Sequence, residues 1–342
     1  MKNLNTIDAV TLMDTPLEKP KFIIDKLLPQ GLHIFAGSPK IGKSWLVLWL
    51  AIQISKGEPV WGYKTNPCDV LYLGLEDGLA RIQDRIFKIT EDVTDGLIFA
   101  TETENLDNQF EDQIIDFLNV RKDLKVIIID TFQKIRGTGA NTYAVDYEKM
   151  TRLKKLADDN GLAIILVHHL RKYKKADQKD DPLNLITGSI GISASVDTNF
   201  VLMKNNRREN YAKLHCIGRD IEQRELNLEF SKSSFTWESS DIIESDDEFI
   251  DDTILSIIKY IHKVKEFVGT ASNLNEIIHE KTPAVLKKKI VKYISILNDN
   301  GIRYEDLRTS QQRNFKLVYD GVTPMKEYSN IEIVPSSLIT VL

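Results

Sequence analysis

The run Gly37-Ser38-Pro39-Lys40-Ile41-Gly42-Lys43-Ser44 is a full match to the spacing G-x-x-x-x-G-K-[ST], and its residue types dictate a chemistry. The glycines let backbone N–H groups curl around phosphate oxygens, and the helix that opens there with Trp45 adds positive potential. Lys43 can reach the β and γ phosphates of a nucleoside triphosphate, while Ser44 offers an oxygen to Mg2+. Such a site needs an acid on a neighbouring strand to hold the metal's water shell. Asp130 follows an apolar run in KVIIIDT and fits that place. A second acid must orient and deprotonate the attacking water. Glu76, closing the strand pattern VLYLGLE, would emerge at the same carboxyl edge of a parallel sheet, with Asp77 as its rival. His168 and His169 end LAIILVHH. Consecutive strand residues point to opposite faces, so one of the two can hydrogen-bond a γ-phosphate and register its loss, and His169 is the preferred member.

These residues must be carried by a sheet with packed helices. Short β-branched runs alternate with amphipathic stretches from about residue 31 to 239: GLHIFAG, DVLYLGLE, LIFAT, KVIIIDT, LAIILVHH, NFVLMKN, AKLHCIGRD, RELNLEF and SFTWES. The early runs are almost continuously apolar, as parallel strands covered on both faces require. Those from Asn199 on are separated by tight breaks and read as antiparallel hairpins. The helix SWLVLWLAIQIS follows the phosphate loop directly, the context the motif demands. Between Glu238 and Asp252 the charges are all acidic, a self-repelling linker. The expected organisation is an α/β ATPase domain over 1–240, an acidic linker over 241–251, a small domain over 252–322 and a tail over 323–342.

In the small domain, Ser272 to Glu280 reads as a short helix. Thr282 caps a second one with Pro283 at its first position, a stripe of Leu286, Ile290, Ile294 and Leu297, and Gly301 as stop. A hairpin over IRYEDLRTSQQRNFKLVYDG completes the order of a winged helix. Lys287, Lys288, Lys289 and Lys292 lie opposite the stripe, and Arg303, Arg308, Arg313 and Lys316 sit on the hairpin. This local basic surface suits DNA, although such domains also dock proteins.

The chain has 342 residues, 42% hydrophobic and 28% charged, with net charge −5. It can bury a core, and its charge balance gives no chain-wide signature of nucleic-acid binding. The stretch MKNLNTIDAVTLMDTPLEKP lacks the pattern of a secretory signal, and no apolar run is long enough to span a membrane, so a cytoplasmic protein is expected. Cys68 and Cys216 are too few for a disulfide framework or a cysteine-based zinc site. The segment RKYKKADQKDDPLNLITGSIGISAS is long and without strong secondary-structure signal. Arg171, Lys172, Lys174, Lys175 and Lys179 at its start could pair with phosphates, offset by Asp177, Asp180 and Asp181. Phe22 and its neighbours precede the phosphate loop and could pack on a base.

Taken together, FIIDKLLPQGLHIFAGSPKIGKSWL, YLGLEDGLARIQDR, VIIIDTFQKIRG, ILVHHLRK, LITGSIGISASVDTNFVL and HCIGRDIEQRELNLEF resemble the RecA-like P-loop ATPases. The resemblance is closest to the RepA-like hexameric replicative helicases of plasmids, phages and integrated elements, and spans about residues 20 to 237. It implies a RecA-like core with a mostly parallel central sheet, and ATP with Mg2+ as substrate and cofactor. Lys43, Ser44, Glu76 and Asp130 would take the family's nucleotide roles and His169 its phosphate-sensor role. Arg219, in the GRD that follows a late strand, would be the arginine finger completing a neighbour's site, and Lys172 to Asp197 the mobile loop facing a central channel. The implied function is a homo-hexameric motor on single-stranded DNA in replication of a mobile element, with replication or initiator proteins as partners of the C-terminal domain. An ATP-switched DNA-binding or loader protein without unwinding activity is the alternative, as is a regulator whose small domain docks a protein.

Overall fold

The structure, a computed structural model, describes residues 4, 6–17, 20–137, 142–171, 181–187, 190–204, 209–239, 250–308 and 313–326. It divides into two compact units, Pro20–Ile243 and a second one formed by Met1–Lys19 together with Glu244–Leu342. The first nineteen residues thus group with the C-terminal unit rather than with the ATPase core expected over 1–240.

In the larger unit a small hairpin, β1 (Phe22–Ile24) and β2 (Leu28–Pro29), leads into β3 (Gly31–Gly37) and α2 (Lys43–Lys56), α1 (Ala9–Asp14) belonging to the other unit. There follow β4 (Asp69–Gly74), α3 (Leu79–Ile89), β5 (Leu97–Ala100), α4 (Phe110–Val120), β6 (Leu124–Asp130) and α5 (Phe132–Ile135). Next come α6 (Tyr143–Asn160), β7 (Ala163–His169), α7 (Ile190–Ser195), β8 (Thr198–Met203), β9 (Tyr211–Gly218), β10 (Arg224–Phe230) and β11 (Trp237–Ser239). Nine strands form one sheet in the order β11-β10-β9-β8-β3-β7-β6-β4-β5. From β8 to β5 neighbours run parallel, and β9, β10 and β11 continue antiparallel.

The apolar runs are explained by two hydrophobic layers. Phe35, Val126, Ile128 and Val167 face the layer that holds α2, with Leu46, Val47, Leu50 and Ile54. Leu32, Ile34, Ile127 and Ile129 face the layer under α4 and α6, with Phe110, Ile114, Met150 and Leu153. Both faces of each central strand are therefore removed from water. Truncating fully buried Ile128 to Ala would cost about 2–5 kcal/mol. α2 starts at Gly42 (φ 103°) and stops at Gly57 (φ 71°), both left-handed, which fixes its register below the phosphate loop. Cys216 is buried in β9 and Cys68 is half-buried, and burial pushes both thiols up to about 12.

The smaller unit contains α8 (Asp252–Val264), β12 (Glu266–Gly269), α9 (Ala271–Ile278), α10 (Pro283–Lys292), α11 (Ile294–Asp299), β13 (Ile302–Arg308) and β14 (Arg313–Tyr319). Its sheet has the order β12-β14-β13 around a core of Ile254, Ile257, Ile258, Leu274, Leu286, Ile290, Leu297, Phe315 and Leu317. Three differences from the sequence reading stand out. β12 was not anticipated. The helix expected from Thr282 to Gly301 breaks at Tyr293 (φ −107°), so Ile294 stays half-buried while Leu297 reaches the core. The linker ends before Ile250, which is buried, and Asp251 caps α8 by accepting from the Thr253 amide. Expected features over 172–180, 240–249 and 327–342, the lysine-rich loop start, the linker and most of the tail, lie outside the described residues.

Candidate active site

β3, β4, β6 and β7 end at one edge of the sheet, with Gly37 level with His169 and Gly74 level with Asp130. Parallel strands deliver their carboxyl ends together, so the residues singled out from sequence converge there. A Cβ on Gly37 would lie 2.9 Å from the Ile41 side chain and 3.2 Å from the Leu202 carbonyl. On Gly42, at its positive φ, it would meet the Trp237 ring at 3.0 Å. The loop is tight enough to require both glycines.

Lys43 is buried at the mouth of the loop, its Nζ donating to the carbonyls of Gly37 (2.8 Å) and Ser38 (3.1 Å) and lying 3.4 Å from His169 Nδ1. Burial pulls the ammonium down to about 8, against the opposing pull of Asp130 and Glu76. His169 is lowered by burial and by the Lys43 charge, so it is neutral at pH 7. With the proton on Nε2, its Nδ1 accepts from Lys43. His168 points the other way: its Nε2 lies 2.7 Å from the Thr187 carbonyl, and its ring packs edge-on against Phe132. The strand pleat separates the pair, and only His169 reaches the phosphate loop.

Asp130 is buried and hydrogen-bonded to Ser44, and Tyr72 donates its hydroxyl to Oδ2 at 2.9 Å. Burial raises its carboxyl, while the bonds from Ser44 and Tyr72 oppose the rise. A buried carboxylate beside a hydroxyl is a hard, all-oxygen donor pair that fits Mg2+, whose remaining positions water and phosphate normally fill. The described residues contain no cluster of three or more protein ligands that could hold a metal alone. Residues Ser44 and Asp130 would therefore hold the ion together with the nucleotide.

β4 ends at Gly74, so Glu76 sits in the turn beyond the strand rather than at its end. It is exposed, and Thr131 donates to its Oε1 at 3.0 Å. Its rival Asp77 is occupied structurally, taking Arg81 at 2.6 Å and Arg85 at 2.5 Å from α3. Arg219 is not near this edge. Its amide donates to the Asp197 carbonyl, and the Asp197 amide in turn donates to the Leu32 carbonyl, which places the β9–β10 turn at the amino end of β3. The guanidinium is exposed, 3.8 Å from Asp197 Oδ1 and 3.3 Å from the Ala194 carbonyl. Neighbouring Asp220 and Glu222, the obvious partners by sequence, are not its partners, and Glu222 pairs with Arg224.

Phe22 lies at the wrong edge to meet a base, because β1 pairs beside Gln30 at the start of β3. The aromatic groups that flank the phosphate loop come from far along the chain. Trp237 approaches Gly42, its indole N–H 3.4 Å from that carbonyl, with Lys204 4.7 Å above its ring. Trp45 stacks on Phe235 at 5.1 Å and meets Phe230 edge-on. An aromatic-rich late hairpin was visible in SFTWES, yet nothing in the sequence joined it to residue 42.

The small domain changes the reading of its lysines. Lys287 is buried, and Lys289 is held by Asp251 at 3.0 Å and Glu280 at 2.5 Å, leaving Lys288 and Lys292 on the exposed face of α10. Lys316 pairs with Glu266 at 3.1 Å, and Arg303 and Arg313 are exposed.

A family described as AAA domain matches residues 3–175. The fold is similar to a helicase ATPase domain solved as a separate domain, at 14% identity and a TM-score of 0.51, over 62% of this chain and 85% of that one. It is also similar to a DnaB-like replicative helicase described with its interactions with primase, at 15% identity and a TM-score of 0.50. That match covers 63% of this chain and 58% of the other. At these identities the likeness is one of fold, and it is the RecA-like arrangement that the strand order displays. No helix among the described residues is long and apolar enough to cross a membrane.

Proposed function

Since the chain belongs to the AAA domain family and is an ATP hydrolase, we propose that it is a ring-forming motor that couples ATP hydrolysis to movement along single-stranded DNA. The observation that carries the chemistry is the hydrogen bond from Thr131 to Glu76 (3.0 Å), which aims one carboxylate at the mouth occupied by Lys43 and His169. Glu76 takes a proton from the attacking water as its oxygen bonds to the γ-phosphorus. The bond from that phosphorus to the β–γ bridging oxygen breaks, and ADP and inorganic phosphate leave. Lys43 neutralises charge on the β and γ phosphates, and the backbone over Gly37 to Ser44 cradles them. Mg2+, when bound through Ser44 and Asp130, would bridge the phosphates and draw off their charge. His169 donates through Nε2 to the γ-phosphate and loses that contact on hydrolysis. The base rests beside Trp45 and Phe235, near Lys204.

Arg219, remote from its own phosphate loop, acts on the ATP of a neighbouring copy in a homo-hexameric ring. The helix-strand-helix-helix-helix-hairpin order of the smaller unit supports reading it as a winged helix. With only Lys288 and Lys292 presented by α10 and two arginines on the hairpin, its partner is duplex DNA or a replication or initiator protein. The working setting we infer is cytoplasmic replication of a mobile genetic element, as the sequence resemblance implies. Strand displacement on a forked duplex, run beside ATP turnover with and without single-stranded DNA and mass in solution with and without ATP, tests the proposal. DNA-stimulated turnover, displacement and a ring mass are expected. Stimulated turnover without displacement would mark a loader instead, and turnover indifferent to any DNA would overturn the motor.

A further inference from the structure

The start of α6 presents Tyr143 and Tyr147 one helical turn apart, 56% and 48% exposed, with ring centroids 5.8 Å apart and planes only 16° from parallel. Among the described residues this is the aromatic pair with both rings open to solvent. Two large rings left in water at the first turns of a helix gain nothing for the core, whose contacts are made by Met150, Leu153, Leu156 and Ala157 of the same helix.

The rings are held firmly. Arg136, at the end of α5, donates to Asp146 through Nε (2.9 Å) and Nη2 (2.7 Å) in a buried pair. Lys149 donates to the Arg136 carbonyl and pairs with Asp107 at 2.7 Å. Both contacts pin the first two turns of α6 against α5, so the tyrosines have little freedom to lose when something stacks on them.

Their surroundings are set by topology. α6 begins at the carboxyl edge of the sheet, after β6 and α5, and packs on the face opposite α2. Exposed Lys134 leaves that edge on α5, just after Asp130 and Thr131, and exposed Arg171 leaves it just after His169. The nearby acids are Asp146, consumed by Arg136, and exposed Glu148. An open, rigid aromatic platform with cations on the same edge matches the two needs of a single strand: flat surfaces for its bases and positive charge for its phosphates.

We propose that Tyr143 and Tyr147 form a base-stacking platform for single-stranded DNA. This rests on the motor reading above and names where that strand is gripped. Because Lys134 and Arg171 follow directly on Asp130 and His169, the platform is coupled to the elements that face the phosphates.

The test compares the full-length wild type, Tyr143→Ala/Tyr147→Ala and Tyr143→Phe/Tyr147→Phe in binding a fluorescent oligothymidylate over a series of salt concentrations, with thermal melts as the fold control. Stacking lost from one base predicts an affinity roughly 5- to 150-fold weaker for the double alanine variant. Its salt slope should match wild type, because no phosphate contact has been removed, and the double phenylalanine variant should bind as wild type does. Equal affinity of the alanine variant, a loss shared by the phenylalanine variant, or a loss accompanied by a shallower salt slope would each overturn the platform while leaving the motor reading standing. Failure of wild type to bind the strand at all would overturn both. Tighter binding of the matching RNA would overturn the assignment to DNA.

Discussion

Arg219→Ala should abolish ATP hydrolysis in a way that only a neighbouring subunit can repair. The Arg219 backbone is level with Leu32 through Asp197, and Leu32 and Gly37 lie about 17 Å apart along a strand that rises about 3.3 Å per residue. No side chain spans that gap, so the guanidinium cannot touch a γ-phosphate in its own phosphate loop. An arginine brought to the transferring phosphoryl group from another subunit is worth about 10³–10⁵ in kcat. ATP binding should be almost unchanged, since the contact is realised in the transition state. Folding should be untouched as well: a 3.8 Å pair whose arginine side chain is 59% exposed contributes at most a few tenths of a kcal/mol, roughly the lower bound for surface pairs. The assay mixes Arg219→Ala with Lys43→Ala protein, each inactive alone. In randomly mixed rings about a quarter of interfaces join an intact lysine to an intact arginine, so turnover should recover toward that fraction. Subunits that demonstrably exchange with no recovery, or an Arg219→Ala protein turning over near the wild-type rate, would refute the assignment.

Lys43 sits near 8 in the free protein through burial, while bound phosphates favour its charged form. ATP affinity should therefore be flat below about pH 8 and fall by up to about tenfold per pH unit above it; calorimetric titration that shows no such fall would count against the buried lysine. Glu76→Gln should keep ATP binding and lose about 10²–10⁴ in kcat. Asp77→Asn, which releases Arg81 and Arg85, should lower the melting temperature with turnover retained, and the reverse ranking in a steady-state assay would show that Asp77 is the base. Lys289→Ala should destabilise the smaller unit by about 1–3 kcal/mol, by removing the charged partner of Asp251 and Glu280. Glu280 is opposed by its burial but depressed to about 2 by the bonds from Lys289 and Thr253. Its stabilisation is present above the ordinary carboxyl value and lost as pH falls toward 2. Urea unfolding should show that acid loss in wild type and a flatter profile in the variant.

What the sequence determined by itself is whatever depends on neighbours along the chain. The phosphate loop is one contiguous run that must curl where its glycines are, and Asp130 ends an apolar run that could only be a buried strand. Parallel and antiparallel halves of the sheet were legible because burial on both faces writes itself as unbroken apolar runs. The pleat said that His168 and His169 must part, but which one meets Lys43 depended on which layer covers each face of β7. The tertiary structure alone could put Tyr72 on Asp130, Trp237 beside Gly42 and Arg219 at the far edge from Lys43. It alone could withdraw Lys289 from the surface by pairing it with Asp251 and Glu280. Each of these is a contact between segments distant in sequence, set by strand order and packing, and helical spacing records only which face a residue occupies, never what that face will meet.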